Sequence, residues 1–310
     1  MIHITQAEIA AAHRRIEPYV HRTPIVTSSF VDDLVGAKVF FKCENLQKVG
    51  AFKARGATNA VLSLDAATAA RGVVTHSSGN HGQAVAYACG IRGIPATVVM
   101  PDDAAAVKID AVRGYGADVV LVPRDQRDAR VAHIIASDGL TLVHPFNDTA
   151  VIAGQATASL ELIEDVPDLD VILAPIGGGG LMSGTSLVAA AFGIEAVGVE
   201  PALVDDAFRS LRDGIRYPAT GELSVGDGLL TGLGEITFAI LSAAGIEVIL
   251  VSEDEILDAV RTIAMRMKLV VEPSGATVVA ALLTERDRFS DKRVGVILSG
   301  GNLDLARLAP

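Results

Sequence analysis

The sequence predicts an α/β protein built of two domains, each with a mainly parallel sheet flanked by helices. Three observations predict it. Half of the 310 residues are hydrophobic, with many Ala, Val, Ile and Leu, few aromatics and no Trp. That palette suits parallel strands buried on both faces. Short β-branched runs alternate with helical patterns along the chain, the order that builds parallel sheets. Three of the strand-to-helix turns are rich in glycine. About ten strands are expected, unusual for one open sheet, so two sheets are predicted.

Taken in order, Thr5-Gln6-Ala7-Glu8 is a capping box, and a helix should follow to about residue 19. His21-Arg22-Thr23-Pro24 stops it. Alternation over 38–44 predicts a strand. Gly50-Ala51-Phe52-Lys53-Ala54-Arg55-Gly56-Ala57 then opens an amphipathic helix. Strands are expected at 73–75, 96–100, 118–122 and 141–143, with helices between them. The first of these runs into Ser77-Ser78-Gly79-Asn80-His81-Gly82. After Phe146-Asn147-Asp148 a longer helix should reach about residue 164. Strand 171–174 leads into Gly177-Gly178-Gly179-Gly180 and a further helix. Strand 196–200 follows, and 214–234, glycine-rich and without period, reads as a loop. Strand 247–251, a second capping box at Ser252-Glu253-Asp254-Glu255, a helix to about 267, a helix from 274 and strand 294–298 lead to Ser299-Gly300-Gly301-Asn302.

Composition excludes several functions. The net charge is −11 and no basic run stands out, which argues against nucleic acid and anionic membranes as partners. Cys43 and Cys89 lie in apolar surroundings without metal-ligand spacing and read as reduced core residues. No signal-peptide pattern is visible and no apolar run reaches about 18 residues, so a cytoplasmic protein is expected.

Lys53 is the first candidate for chemistry. A lysine behind Phe52 at a strand-to-helix junction is desolvated, which lowers its pKa and makes the amine a nucleophile able to form a Schiff base. The alternative is a lysine that only caps a turn. Ligands in α/β sheets bind at the carboxyl ends of strands, where helix N-termini offer N–H groups to anions. The tetraglycine suits a phosphate because its backbone can be approached closely, although a tight turn under a packed helix would use the same residues. A dinucleotide fingerprint fails, since the sixth residue from Gly177 is Met182 and from Gly178 is Ser183. A Walker loop also fails, since Gly184 is followed by Thr185. A Schiff-base lysine with a phosphate cup points to pyridoxal 5′-phosphate (PLP).

FFKCENLQKVGAFKARGATNA, THSSGNHGQAVAYA, VIAGQATASLE, PIGGGGLMSG, MKLVVEPSGA and ILSGGN, in this order, resemble the fold-type II PLP enzymes, a tryptophan synthase β-like fold. The resemblance is to the serine racemase and serine/threonine dehydratase family and covers nearly the whole chain. It implies that Lys53 carries PLP as a Schiff base, with Phe52 packed beside the cofactor. Asn80 would bond the pyridine 3′-oxygen. Gly177, Gly178, Gly179, Gly180 and Leu181 would bind the phosphate through backbone N–H groups, and Ser299 would face the pyridine nitrogen. Ser77, Ser78, Asn80 and His81 would hold the substrate carboxylate. Ser78 is also expected to face Cα opposite the lysine, as a second acid/base that permits racemisation. Its alternative is a hydroxyl that only binds the carboxylate or caps the helix.

Glu200 and Asp206, with the carbonyl of Val204, resemble the family's site for Mg²⁺ or Ca²⁺. The alternative is a pair of solvated acids at a helix start. Residues 1–70 and 148–310 would form the large PLP-binding domain, and 71–147 a small mobile domain that closes on substrate. A homodimer is implied, and no isoleucine-sensing regulatory domain is expected.

The chain also departs from the family. Ala51 stands where Ser often precedes Phe-Lys, which looks more like the hydroxyaspartate ammonia-lyases and some fungal racemases. Phe146 stands where animal racemases place an asparagine. Arg124, Arg127 and Arg130 offer no unambiguous counterpart of a substrate-binding arginine. The expected activity is a dehydratase (ammonia-lyase) of β-hydroxy amino acids such as L-serine and L-threonine, giving a 2-oxo acid and ammonia, with serine racemisation as a companion. The alternatives are a 3-hydroxyaspartate ammonia-lyase, which needs a cation to receive the side-chain carboxylate, and a non-catalytic ligand-binding module.

Overall fold

The computed structural model describes residues 4–77 and 79–304. Among them are ten strands: β1 Ile25–Val26, β2 Lys38–Lys42, β3 Val73–His76, β4 Ala96–Pro101, β5 Asp118–Val122, β6 Thr141–Leu142, β7 Val171–Pro175, β8 Glu195–Pro201, β9 Glu247–Val251 and β10 Arg293–Ile297. They form two sheets, ordered β1-β2-β10-β7-β8-β9 and β5-β4-β3-β6. Every pairing is parallel except β1 with β2. Nine strands lie where the alternation placed them, within two residues at each end. The tenth, β1, is a two-residue edge too short to carry a period.

The parallel pairing follows from composition. β7 reads Val-Ile-Leu-Ala-Pro and is buried throughout, as a strand covered by helices on both faces must be. On one face the Pro273–Thr284 helix packs Ala276, Val279 and Ala280 into a core with Val171, Leu173, Val197 and Val294. On the other, Ile152, Ala156 and Leu181 meet Ile172 and Ala174. The four-stranded sheet has its own core, in which Val73, Val98 and Met100 face Ala84, Val85 and Ala88 of the Asn80–Arg92 helix.

Both capping boxes form. Thr5 N donates to Glu8 at 2.7 Å and Glu8 N to Thr5 Oγ1 at 3.2 Å. Ser252 N donates to Glu255 at 2.7 Å, with the reciprocal bond at 3.4 Å. The first helix ends at Ile16, short of residue 19. The second ends at Thr262 and continues as a π-turn over Ile263–Met267. The glycine-rich 214–234 segment holds one 3₁₀ turn, Asp227–Leu229, and is followed by a helix the periodicity did not reveal, Glu235–Ala243. Cys43 and Cys89 are free and buried, and burial pushes both thiols up to about 12. Among the described residues no helix is long and apolar enough to cross a membrane.

Candidate active site

Parallel strands carry the three glycine-rich turns to their carboxyl ends. β7 and β10 are hydrogen-bonded neighbours, so the tetraglycine and the Ser299 turn emerge side by side. The segment before Lys53 is laced to the second of these turns. Phe52 N donates to Ser299 O at 3.0 Å and Gly301 N to Gly50 O at 2.9 Å, and Ala51 bridges Gly300. Lys53 then starts the Lys53–Ser63 helix. Its Nζ donates to the Pro145 carbonyl at 2.8 Å and lies 5.1 Å from the centre of the Phe52 ring. Burial lowers its pKa to about 8 against the opposing pull of Glu272. At neutral pH a useful fraction of this amine is already unprotonated.

The tetraglycine is a cradle that tolerates no side chain. A Cβ on Gly178 would lie 2.2 Å from the Phe146 ring, one on Gly180 2.9 Å from Phe146 Cβ, and one on Gly177 2.9 Å from Leu229 Cα. Gly179 has φ +85°, the left-handed region that suits glycine. Gly180 and Leu181 open the Gly180–Phe192 helix, whose first N–H groups have no partner within the helix. Thr237 Oγ1 donates to Gly178 O at 2.7 Å and pins the loop from beneath.

Asn80 opens the helix after β3. Its Nδ2 donates to both oxygens of Glu272, at 2.9 and 3.2 Å, and its Oδ1 accepts from Asn302 Nδ2 at 2.8 Å. Burial pushes the Glu272 carboxyl up to about 7 despite the Asn80 bond. His81 is buried beside it. Its Nε2 lies 3.0 Å from the Val143 carbonyl, which can only accept, so Nε2 carries the hydrogen. Burial and the charge of Lys53 hold the ring neutral. Nδ1 is therefore a lone-pair acceptor, buried and without a partner among the described residues. Ser77 Oγ accepts from Gly79 N at 3.1 Å. Ser78 lies outside the described residues.

Comparison with known proteins gives this arrangement its family. The model of the family described as "Pyridoxal-phosphate dependent enzyme" matches residues 16–300. The chain belongs to this family. A serine racemase from Dictyostelium discoideum is 46% identical over 317 residues, covering 100% of this chain and 98% of the relative. A β-hydroxyaspartate dehydratase from Paracoccus denitrificans is 46% identical over 308 residues, covering 98% of each. A solved threonine deaminase from T.th. superposes with a TM-score of 0.91 at 41% identity, over 97% of this chain and 99% of that one. The fold-type II architecture and dependence on PLP follow.

The residues of this PLP-dependent enzyme fit the cofactor. A lysine with a lowered pKa and a helix N-terminus preceded by glycines that no Cβ can replace are the two features a Schiff-base aldehyde and a phosphate require. Ser299, buried at the end of β10, offers a hydroxyl rather than a carboxylate.

The helix that Lys53 opens is tied down by buried ion pairs. Arg55, two residues on, donates to Glu44 at 2.8 Å through Nε and through Nη2, and to Glu161 at 2.7 and 2.8 Å. Lys42 donates to Glu161 at 2.6 Å and Thr23 Oγ1 to Glu44 at 2.6 Å. All four charged side chains are fully buried. The motif FFKCENLQK carries Lys42 and Glu44, but nothing in the sequence says that Lys42 meets Glu161 of the Thr149–Asp165 helix or that Glu44 meets Arg55. Glu272 was likewise present in MKLVVEPSGA without a visible role.

Glu200 and Asp206 meet at the far end of β8. The Glu200 oxygens accept from Ala207 N at 2.9 Å and Phe208 N at 2.8 Å, the first turn of the Asp206–Asp213 helix. Both Asp206 oxygens are buried without a hydrogen bond of normal geometry among the described residues. Burial pushes Glu200 up to about 8 and Asp206 to about 6. Val204, also buried, ends the 3₁₀ turn between them. No three His, Cys, Asp or Glu side chains of the described residues cluster at a common point. An ion here would take two carboxylates and complete its shell with carbonyl and water oxygens. The orphaned Asp206 oxygens fit such an ion.

Proposed function

We propose that this PLP-dependent enzyme is an ammonia-lyase of β-hydroxy amino acids, converting L-serine, L-threonine or 3-hydroxyaspartate to a 2-oxo acid and ammonia, with serine racemisation as a companion activity. The observation that carries the reading is Lys53, an amine lowered to about 8 and held at 2.8 Å by Pro145 O beside the glycine cradle. The serine racemase, hydroxyaspartate dehydratase and threonine deaminase among its relatives support it.

When bound, PLP supplies an electron sink for the carbanion at Cα. The chain supplies the rest. Gly177, Gly178, Gly179, Gly180 and Leu181 would hold its phosphate through backbone N–H groups, with Phe52 beside the cofactor, Asn80 towards the 3′-oxygen and Ser299 towards the pyridine nitrogen. A neutral serine hydroxyl there, in place of a carboxylate, would favour loss of the β-hydroxyl. The turn before the Asn80–Arg92 helix receives the substrate carboxylate. His81 serves there through its backbone N–H, because its ring presents an acceptor at Nδ1. Lys53 Nζ takes the Cα proton, the Cβ–O bond breaks, and the leaving hydroxyl takes a proton back from the lysine ammonium to depart as water. The released enamine tautomerises and hydrolyses to oxo acid and ammonia.

Residues 71–147, which hold the four-stranded sheet, close over this site as a small domain against 1–70 and 148–310. Glu200, Asp206 and the Val204 carbonyl hold Mg²⁺ or Ca²⁺, and the chain acts as a homodimer, as the family resemblance implies. Ser78 acts on Cα from the face opposite Lys53, a role resting on resemblance alone.

Borohydride reduction of the holoenzyme followed by peptide mapping tests the reading. The expected label is on Lys53, and Lys53→Ala abolishes turnover of a panel of L- and D-serine, L-threonine and 3-hydroxyaspartate. A label on another lysine overturns it. Ser78→Ala should suppress racemisation by about 10²–10⁴-fold, the usual size of a general acid–base contribution, and L-serine dehydration far less. Equal losses in both would leave Ser78 a binding residue.

A further inference from the structure

An open cleft of about 410 Å³ is lined by His144, Phe146, Asn147, Arg216, Leu233 and Glu235, among others. It adjoins the lysine. Pro145, whose carbonyl accepts from Lys53 Nζ at 2.8 Å, lies between two of its lining residues, and the Phe146 ring covers Gly178. His144 and Arg216 both offer donors to an anion here. His144 Nδ1 accepts from Phe146 N at 3.3 Å and Asn147 N at 2.9 Å, so the hydrogen of the neutral ring sits on Nε2. Burial, with His76 and Lys53 nearby, lowers its pKa to about 4, so the ring is neutral at physiological pH.

Arg216 is the cation. Its Nη1 donates to Leu233 O at 3.2 Å. Its Nη2 lies 3.7 Å from Glu235 Oε1, beyond hydrogen-bond length, and the Glu235 side chain is 81% exposed. A guanidinium has five N–H donors in a fixed fork, so one backbone anchor and one loose, solvated partner leave donors to spare. Two of the arginines near the small sheet are otherwise engaged: Arg124 bonds Asp103 at 2.9 Å, and Arg127 Nε donates to Arg124 O at 3.0 Å.

We propose that Arg216 selects substrates with an acidic side chain. The side-chain carboxylate of a β-hydroxy dicarboxylic amino acid docks on its guanidinium, displaces the Glu235 contact and takes a second hydrogen bond from His144 Nε2. The α-carboxylate stays at the Asn80 helix. A monocarboxylic substrate such as L-serine leaves Arg216 to Glu235 and water. The inference rests on the ammonia-lyase reading and specifies the substrate class of that site.

The test compares wild-type holoenzyme with Arg216→Met, Arg216→Lys and Glu235→Gln. It measures kcat and KM for 3-hydroxyaspartate and L-serine, and equilibrium binding of succinate by calorimetry. Losing a hydrogen bond to a charged group costs roughly 10- to 100-fold. Arg216→Met should lose that much in kcat/KM for 3-hydroxyaspartate, chiefly through KM, and much less for L-serine. Succinate affinity should fall in parallel. Arg216→Lys should recover part of both, which separates recognition from misfolding, and Glu235→Gln should tighten succinate. Equal losses for the two substrates, or succinate binding unchanged in Arg216→Met, overturn the proposal. A wild-type holoenzyme inert on every β-hydroxy amino acid overturns the ammonia-lyase reading instead, and succinate binding then still decides whether Arg216 holds a dicarboxylate.

Discussion

Two clusters of buried charge occupy the larger sheet and its helices, and they are balanced in opposite ways. At the start of the Lys53–Ser63 helix, two cations, Arg55 and Lys42, meet two carboxylates, Glu44 and Glu161, with every link between 2.6 and 2.8 Å. At the end of β8, Glu200 and Asp206 are buried with no side-chain cation bonded to either among the described residues, and the nearby Arg209 is paired with Asp205 at 2.9 Å. Desolvation is severe for any buried ion. The first cluster offsets it from within the chain, and its carboxylate Glu161 is held well below its ordinary range: burial pushes it up, but bonds from His13 and Arg55 and the charges of Arg55 and Lys42 outweigh burial. In the second, helix N–H groups on Glu200 and the charge of Arg209 near Asp206 do not outweigh burial, and both carboxyls rise. The lesson is that the first is balanced from within the chain, while the second, with both carboxyls raised, is the site proposed as a cation socket.

The largest break should come from Arg55→Met. It leaves Glu44 buried without a bonded cation and Glu161 with Lys42 but no arginine, and losses of this kind run to about 3–5 kcal/mol, readable in a denaturant titration. A loss below about 1 kcal/mol would mean that the cluster is solvated and the contrast false. Chelation should act next. An ion held at 100 times its Kd adds about 2.7 kcal/mol, so excess chelator should lower the melting temperature, Mg²⁺ or Ca²⁺ should restore it, and Asp206→Asn should abolish the response. An identical melting curve with and without chelator removes the socket.

Acid sharpens the contrast from the other side. Because the folded pKa of Glu161 is depressed, its stabilisation is present above the ordinary carboxyl value of 4.5 and is lost as pH falls through and below it. Each unit of that descent costs at most about 1.4 kcal/mol, and Glu161→Gln should flatten the acid limb of a stability–pH curve. The smallest effect is expected on the surface. Arg288 reaches Glu247 at 2.7 Å and Glu195 at 2.9 Å, yet Arg288→Ala should cost less than about 1 kcal/mol, since exposed pairs contribute little.

The sequence disclosed what is local. The glycine-rich turns and Lys53 were legible because their chemistry depends on a few consecutive residues, and nine strands were legible because buried parallel strands are nearly continuous apolar runs. The Glu235–Ala243 helix was not, because it follows a glycine-rich stretch and its Ile, Phe, Ala and Leu leave little polar face to mark a period. The pairing of Arg55 with Glu161 spans 106 positions, and no period reaches that far. Arg216 was hidden for the same reason. Its segment was read as loop, and only the tertiary fold brings it to the cleft beside Pro145.

One pairing also sets a clock. β2 is covered on one edge by β1, but its other edge waits for β10, from residue 42 to residue 293 in sequence. At roughly 5–20 residues per second, a ribosome takes about 10–50 s to cover that distance. The four-stranded sheet, complete by residue 142, can close well before then. Phe52 receives its backbone partner from Ser299, so the seat of Lys53 is among the last places to be finished. A chain stalled before β10 therefore presents β2 as an open edge and lacks the Ser299 and Gly301 backbone bonds that brace the segment before Lys53.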